Sequence, residues 1–147
     1  MFSMKTKYAI KALIRLAHKR HNGPVLIADL SVEEGIPKKF LENILLSLKN
    51  EGMLASRKGK GGGYALLRRP EDIRIAQVVQ LFDGPLAVPS CVKMSMVRSC
   101  NACGESPQCG LRLVMAELKE SISGCLDRLT LLDLVLESEE PVFDPVI

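Results

Sequence analysis

The sequence is poor in aromatic residues and has no long hydrophobic run. It contains no tryptophan, two tyrosines and four phenylalanines among 147 residues, so recognition through large aromatic surfaces is not expected. No unbroken apolar stretch approaches the length that a membrane span requires. The apolar residues of the first twenty positions are interrupted by Lys and Arg at short intervals, and no small-residue cleavage site follows. We therefore predict neither a signal peptide nor a membrane anchor, and a cytoplasmic location.

Charge is distributed unevenly along the chain. Residues 1–70 carry 14 Lys and Arg against 5 Asp and Glu, whereas residues 71–147 carry 6 against 12. A basic half followed by an acidic half predicts that the first half meets a polyanion. No paired carboxylates and no Ser/His/Asp arrangement have a supporting context, so we do not predict an enzyme.

The basic half has the pattern of a helix-turn-helix. Apolar residues at helical spacing predict a first helix over residues 3–20. A second, short helical stretch over residues 26–34 stops at Gly35, and a third begins at Pro37 and stops at Gly52. The first helix buries Ile10, Leu13, Ile14 and Ala17, and the third buries Phe40, Leu41, Ile44, Leu45 and Leu48. Two short helices joined at a glycine, the second with a polar outer face, are typical of a helix-turn-helix.

Two groups of polar residues in this half are predicted to contact DNA. The exposed start of the third helix carries Lys38, Lys39, Glu42 and Asn43. The next stretch, MLASRKGKGGGYALLRRP, predicts a β-hairpin whose glycine-rich tip carries Arg57, Lys58 and Lys60. GKGGG is not a phosphate-binding P-loop, because Tyr64 continues a strand where a P-loop would open a helix. A basic hairpin after a helix-turn-helix indicates a DNA-binding wing.

Five segments of the chain carry a resemblance to a known family: KYAIKAL, LIADLS, GIP, FLE and RKGKGGGYAL. Together they resemble the Rrf-two family of winged-helix transcription regulators. The resemblance extends over residues 4–135. It implies a mainly α fold with a small β-hairpin wing, and a homodimeric repressor or activator that binds a palindromic operator in double-stranded DNA. Many members hold an iron–sulfur cluster and others hold none.

We accordingly predict a winged helix-turn-helix domain over residues 1–84 and a cysteine-rich loop over 85–110. A dimerisation helix over 111–137 and a flexible tail over 138–147 complete the prediction.

The dimerisation helix is predicted from a heptad pattern. Spacings of four and three alternate without a break through Leu111, Met115, Leu118, Ile122, Cys125, Leu129, Leu132 and Leu136. This seam is typical of paired helices and predicts a homodimer, the alternative being a helix packed on its own domain. Cys125 lies on the seam and is interpreted as a packing residue rather than a ligand.

The other four cysteines fall within nineteen residues, at Cys91, Cys100, Cys103 and Cys109. In a reducing compartment a disulfide scaffold is not expected, so metal, cluster and redox chemistry are the competing explanations. The neighbouring residues are loop formers that cannot pack a core. Thiolates converging from such a loop are the ligands that an iron–sulfur cluster needs.

The family resemblance refines this interpretation. Cys91, seven residues after Gly84, falls where cluster-binding members have their first ligand. Cys109 falls on the last ligand, and Cys103 keeps the usual five-residue gap to it. Cys100 has no obvious counterpart in the family.

The resemblance also leaves the fourth ligand open. Some members take it from a histidine three residues after the last cysteine, and others from a carboxylate in the first helix. Those positions here are Arg112 and Lys7, so we predict Cys100 as the fourth ligand of a [2Fe–2S] or [4Fe–4S] cluster. The alternatives are zinc on the same four thiolates, a regulator that uses bare thiols, and a dithiol redox protein at Cys100 and Cys103.

Overall fold

The computed structural model describes residues 2–85 and 110–139. Within them the chain forms six α-helices and one β-hairpin. Their bounds are α1 Met4–His18, α2 Ile27–Glu34, α3 Lys38–Asn50, β1 Leu54–Arg57, β2 Gly63–Leu66, α4 Ile75–Asp83, α5 Gly110–Arg128 and α6 Leu131–Glu139. Single turns of 3-10 helix follow α1 at Arg20–Asn22 and precede α4 at Pro70–Asp72.

Helix α1 lies at the centre of the hydrophobic core. Its predicted residues Leu13 and Ala17 are buried, whereas Ile10 and Ile14 are partly buried at its edges. The face also includes small residues that the pattern did not single out, Ala9 and Ala12, together with Leu16. Small side chains let neighbouring helices approach α1 closely.

The turn of the helix-turn-helix is closed by local hydrogen bonds. Gly35 ends α2 with φ 64° and ψ 35°, the left-handed conformation that favours glycine. The amide of Ile36 donates to the carbonyl oxygen of Ser31 at 3.0 Å, and the Ser31 hydroxyl donates to the carbonyl oxygen of Ile36 at 2.6 Å. Because Ile36 is also buried, the turn is anchored in the core and sets where α3 begins.

The wing is a tight antiparallel hairpin with a third, single-residue partner. Leu54 lies opposite Leu66 and Arg57 lies opposite Gly63. On the other edge of β2, Val25 and Tyr64 exchange two backbone hydrogen bonds, each of 2.8 Å. The wing is therefore attached to the segment between α1 and α2.

The C-terminal helix is interrupted, so the prediction of one unbroken helix from Leu111 to about Leu136 is wrong. Helix α5 ends at Arg128 and α6 begins at Leu131. The amide and hydroxyl of Thr130 donate to the Asp133 carboxylate at 2.8 and 2.7 Å, and the Asp133 amide donates back to the Thr130 hydroxyl at 3.3 Å. This reciprocal capping starts a new helix.

After this interruption α6 returns to the winged-helix core. Leu131 and Val135 are buried there with residues of α1 and α3. Leu126 of α5 packs in a smaller cluster with Ile75 and Val79 of α4. None of the helices in residues 2–85 and 110–139 has the length and apolar character needed to cross a membrane.

Candidate nucleic-acid interface

The start of α3 presents the side chains that were predicted to read bases. Lys38, Lys39, Glu42 and Asn43 are all exposed. The opposite face of the helix packs on the core. Phe40, predicted to be buried, is partly buried at the edge of the core, where it meets Tyr8 of α1 edge to face, with ring centroids 5.7 Å apart. The exposed polar face therefore projects from a rigidly packed helix.

The wing presents the second predicted group, Arg57, Lys58 and Lys60, all exposed. Its tip is built from glycines for steric reasons. A Cβ on Gly62 would lie 2.3 Å from the carbonyl oxygen of Arg57, and a Cβ on Gly63 would lie 2.3 Å from that of Val25. The glycines therefore allow the strand to turn tightly and to pass close to the Val25 backbone.

The charge of the basic half divides into paired and unpaired cations. Within residues 2–85 and 110–139, no ion pair involves Lys38, Lys39, Arg57, Lys58 or Lys60. By contrast, carboxylates of α2 bind Lys11 and Arg15 of α1 and its C-cap residue Lys19. The charge pattern of the sequence treated all eight of these cations as available to bind a polyanion. The neighbouring acids Glu33 and Glu34 were the one signal in the sequence that some of the eight form ion pairs within the protein. The cations predicted to contact DNA at the start of α3 and at the wing are therefore among those without an ion pair in the described part of the chain.

Helix α4 leads from the winged helix towards the cysteine-rich segment, and its end is tied to α1. The Asp83 carboxylate accepts a hydrogen bond of 3.1 Å from the amide of Ser3, the residue that caps α1. Burial alone would raise the pKa of Asp83, but hydrogen bonds from Ser3 and Thr6 outweigh it and hold the pKa below its ordinary value. The last helical residue before Gly84 is thus in direct contact with the first helix.

The predicted ligands Cys91, Cys100, Cys103 and Cys109 lie outside the described residues. Within the described ranges, 2–85 and 110–139, no three His, Cys, Asp or Glu side chains are grouped so that they could hold a metal ion. A metal or cluster would therefore need at least one ligand from outside the described residues, which is where these cysteines lie. Four thiolates are a donor set that suits an iron–sulfur cluster or zinc.

Helix α5 exposes a row of apolar side chains. Between 49% and 74% of the surface of each of these residues is accessible: Leu111, Leu113, Val114 and Leu118. Cys125, further along the predicted seam, is also exposed in the single chain. Leu111, Val114 and Leu118 share one side of the helix by their spacing of three and four, and an exposed apolar side of this kind indicates a contact surface.

The sequence and fold match a known family of regulators. The family model of Rrf2, described as "Iron-dependent Transcriptional regulator", matches residues 2–137. The protein belongs to the Rrf2 family. It is therefore a DNA-binding transcriptional regulator, and its relatives are regulators rather than enzymes.

Relatives and solved structures agree with this assignment. The chain is 40% identical over 138 residues to an rrf2-like HTH-type transcriptional regulator of Rhodobacter capsulatus, covering 92% of each chain. It is 31% identical over 135 residues to the HTH-type transcriptional regulator IscR of Erwinia tasmaniensis, covering 92% of this chain and 78% of that one.

Two solved structures share both the fold and 26% sequence identity with this Rrf2 protein. T. potens IscR has a TM-score of 0.73, covering 95% of this chain and 89% of that one. CymR, the global cysteine regulator of B. subtilis, has a TM-score of 0.76, covering 93% and 97%. The predicted winged-helix fold is confirmed.

Proposed function

We propose that this Rrf2 regulator is a homodimer that reads a palindromic operator with α3 and its wing, and that its cysteine-rich segment controls the binding. The observation that carries the DNA interface is the contrast between free and paired cations. Five of the cations without an ion pair, Lys38, Lys39, Arg57, Lys58 and Lys60, belong to α3 and the wing, which follow each other in the chain as a recognition helix and its wing do.

Each exposed residue of α3 has a chemical preference on DNA. Asn43 suits adenine, and Lys38 and Lys39 suit guanine or phosphate. Glu42 accepts from cytosine and repels phosphate, so it discriminates between sites. The wing cations Arg57, Lys58 and Lys60 would neutralise phosphates whatever the sequence.

The exposed apolar face of α5 supports the dimer. A second copy would cover Leu111 and Leu118 in an isologous two-fold contact. Two-fold symmetry would place two α3 helices on the two halves of a palindrome.

The cysteine-rich segment is proposed to hold an iron–sulfur cluster through Cys91, Cys103 and Cys109, with Cys100 as the fourth ligand. The family description as iron-dependent and the four thiolates support this ligand set. When bound, such a cluster supplies chemistry that responds to oxygen, nitric oxide and iron supply. Asp83 and Ser3 would transmit the state of the segment to α1, and so shift the protein among DNA-binding states.

A cluster-free regulator is the second candidate. It is supported by the likeness to CymR, the global cysteine regulator of B. subtilis, and by the resemblance to a family in which some members hold no cluster. A regulator that binds zinc through the same four thiolates is one form of this cluster-free candidate.

Anaerobic reconstitution with iron and sulfide tests the proposal. We expect wild-type protein to gain visible absorbance, and Ala substitutions at Cys91, Cys103 and Cys109 each to abolish it. Cys125→Ala is the matched control, since this exposed thiol on α5 should leave the spectrum unchanged. A colourless wild type after reconstitution would contradict the cluster and favour zinc or bare thiols, which metal analysis then separates. A full cluster in Cys100→Ala would show that the fourth ligand is another residue.

A further inference from the structure

Three cations, two in α1 and one at its C-cap, form a row that meets the end of α2. Lys11 and Arg15 are four residues apart and so lie on one face of α1, and the C-cap residue Lys19 follows four residues later. The Arg15 guanidinium donates from Nε to the Glu34 carboxylate at 2.6 Å and lies 3.6 Å from the Glu33 carboxylate. Lys19 binds Glu33.

Glu34 is the centre of this network. Its carboxylate also lies 3.6 Å from Lys11 Nζ, and the same ammonium donates to the Glu34 carbonyl oxygen at 2.8 Å. Only 11% of the Glu34 side chain is exposed, compared with 40% of Arg15. An exposed ion pair contributes little, but a largely buried carboxylate with two cationic partners is costly to disturb.

The network holds the turn that starts the recognition helix. Glu34 is the last residue of α2, Gly35 turns the chain, and Lys38 begins α3 three residues later. Lys11 supplies a donor to one of the last carbonyls of α2, where a cation is also favoured by the helix dipole. A change in the direction of α2 at Glu34 would therefore move the start of α3.

The pKa shifts of two residues in this network, Arg15 and Glu33, agree with strong ion pairs. The hydrogen bond to Glu34 raises the pKa of Arg15 against the effect of burial. The hydrogen bond from Lys19 lowers the pKa of Glu33, again against burial. Both shifts favour the charged forms of Arg15 and Glu33.

From this geometry we infer that Glu34 and Arg15 are positioning residues for DNA recognition, and that Lys11, Arg15 and Lys19 hold the turn instead of contacting phosphates. The inference rests on the proposed DNA interface of α3 and the wing. It predicts that damage to the network lowers sequence-specific binding much more than binding to arbitrary DNA, because phosphate contacts by the wing need no exact placement of α3.

The test compares Glu34→Gln, Arg15→Gln and the double variant in the full-length dimer. The specific probe is a duplex that wild-type protein selects from a random-sequence pool, and the non-specific probe is poly(dI-dC). Glu71→Gln is the matched control, because Glu71 also forms an ion pair, with Arg69 at 3.4 Å, but lies in the turn before α4. Circular dichroism at the binding temperature establishes that each variant is folded.

We expect each single variant to lose about tenfold of its affinity for the selected duplex, the size of effect typical of a lost charged hydrogen bond. Binding to poly(dI-dC) should change by less than about twofold, and the log–log salt slope should stay at the wild-type value. The double variant should lose less than the sum of the two single losses, since both substitutions remove the contact between Arg15 and Glu34.

Three results would overturn the inference. The first is a salt slope reduced by about one unit in Arg15→Gln, which would make Arg15 a phosphate contact. The second is equal loss on both probes, and the third is additive loss in the double variant. If Arg15→Gln does not fold, the inference is tested with Glu34→Gln alone, because Gln has nearly the same size as Glu. The deciding quantity is then the ratio of its affinity for the selected duplex to its affinity for poly(dI-dC). Failure of the proposed interface is separate, since it would appear as an unchanged salt slope in Lys58→Ala.

Discussion

The amide of Leu131 donates a hydrogen bond of 2.8 Å to the carbonyl oxygen of Ile73, and this bond returns the chain to the winged-helix core after α5. Both residues are fully buried. A second bond of 3.0 Å, from the Ile75 amide to the Leu129 carbonyl, lies beside it. The C-terminal end of α5 is thus fixed to the start of α4, and its apolar face is left accessible to a partner.

The cap at this junction should be important for stability. Thr130→Ala removes the hydroxyl that accepts from the Asp133 amide and donates to its carboxylate. We expect a loss of about 1 kcal/mol in the free energy of unfolding, measured by urea denaturation. Thr130→Ser retains the hydroxyl and should lose much less. Equal stability of Thr130→Ala and wild type would contradict the capping role.

The same cap should make stability depend on pH. Hydrogen bonds from the Thr130 amide and hydroxyl lower the pKa of Asp133 in the folded protein. Because the pKa of Asp133 is lower in the folded than in the unfolded protein, its carboxylate contributes its full stabilisation above the unfolded pKa of about 3.9. This contribution is lost as the pH falls through the folded pKa. The stability advantage of wild type over Asp133→Asn should therefore be constant near neutral pH and shrink below about pH 4. A gap that does not change with pH in urea titrations would argue against this role.

The wing should not tolerate a side chain at Gly63. Its φ is 137°, and an added Cβ would lie 2.3 Å from the Val25 carbonyl oxygen. We expect Gly63→Ala to destabilise the protein by about 2 kcal/mol or more, and to weaken DNA binding because the hairpin moves. Gly61→Ala is the control, since no atom lies within 4 Å of its added Cβ and only the backbone cost of about 1 kcal/mol applies. Similar losses of stability in both variants would show that the close approach to the Val25 carbonyl oxygen does not account for the cost at Gly63.

The dimer should depend on the exposed seam of α5. Leu118→Glu introduces a carboxylate at a residue that is 49% exposed in the single chain, so the fold itself should be preserved. We expect monomers in analytical ultracentrifugation and weak binding to palindromic DNA, because two carboxylates would be buried face to face. Ser121→Glu, also exposed but off the seam, should remain dimeric. A dimeric Leu118→Glu would place the interface elsewhere.

The sequence predicted the recognition helix and the wing because their signals are local. Pro37, Gly35 and Gly52 delimit the helices, and the wing glycines leave no alternative to a tight turn. The break at Thr130 was missed although T-x-x-D is a capping signal, since the heptad pattern continued through it. The pairing of Arg15 with Glu34 could not be predicted, because periodicity does not show which surface charges meet in the folded chain.

The most direct test of the account is the salt dependence of DNA binding by wild type and Lys58→Ala. Lys58 is exposed at the wing and forms no ion pair within residues 2–85 and 110–139. Binding of both proteins to the duplex selected by wild type is measured by fluorescence anisotropy over a series of salt concentrations. The account predicts weaker binding by Lys58→Ala and a log–log slope smaller by about one unit. Unchanged affinity and slope would contradict it by removing the wing from the interface.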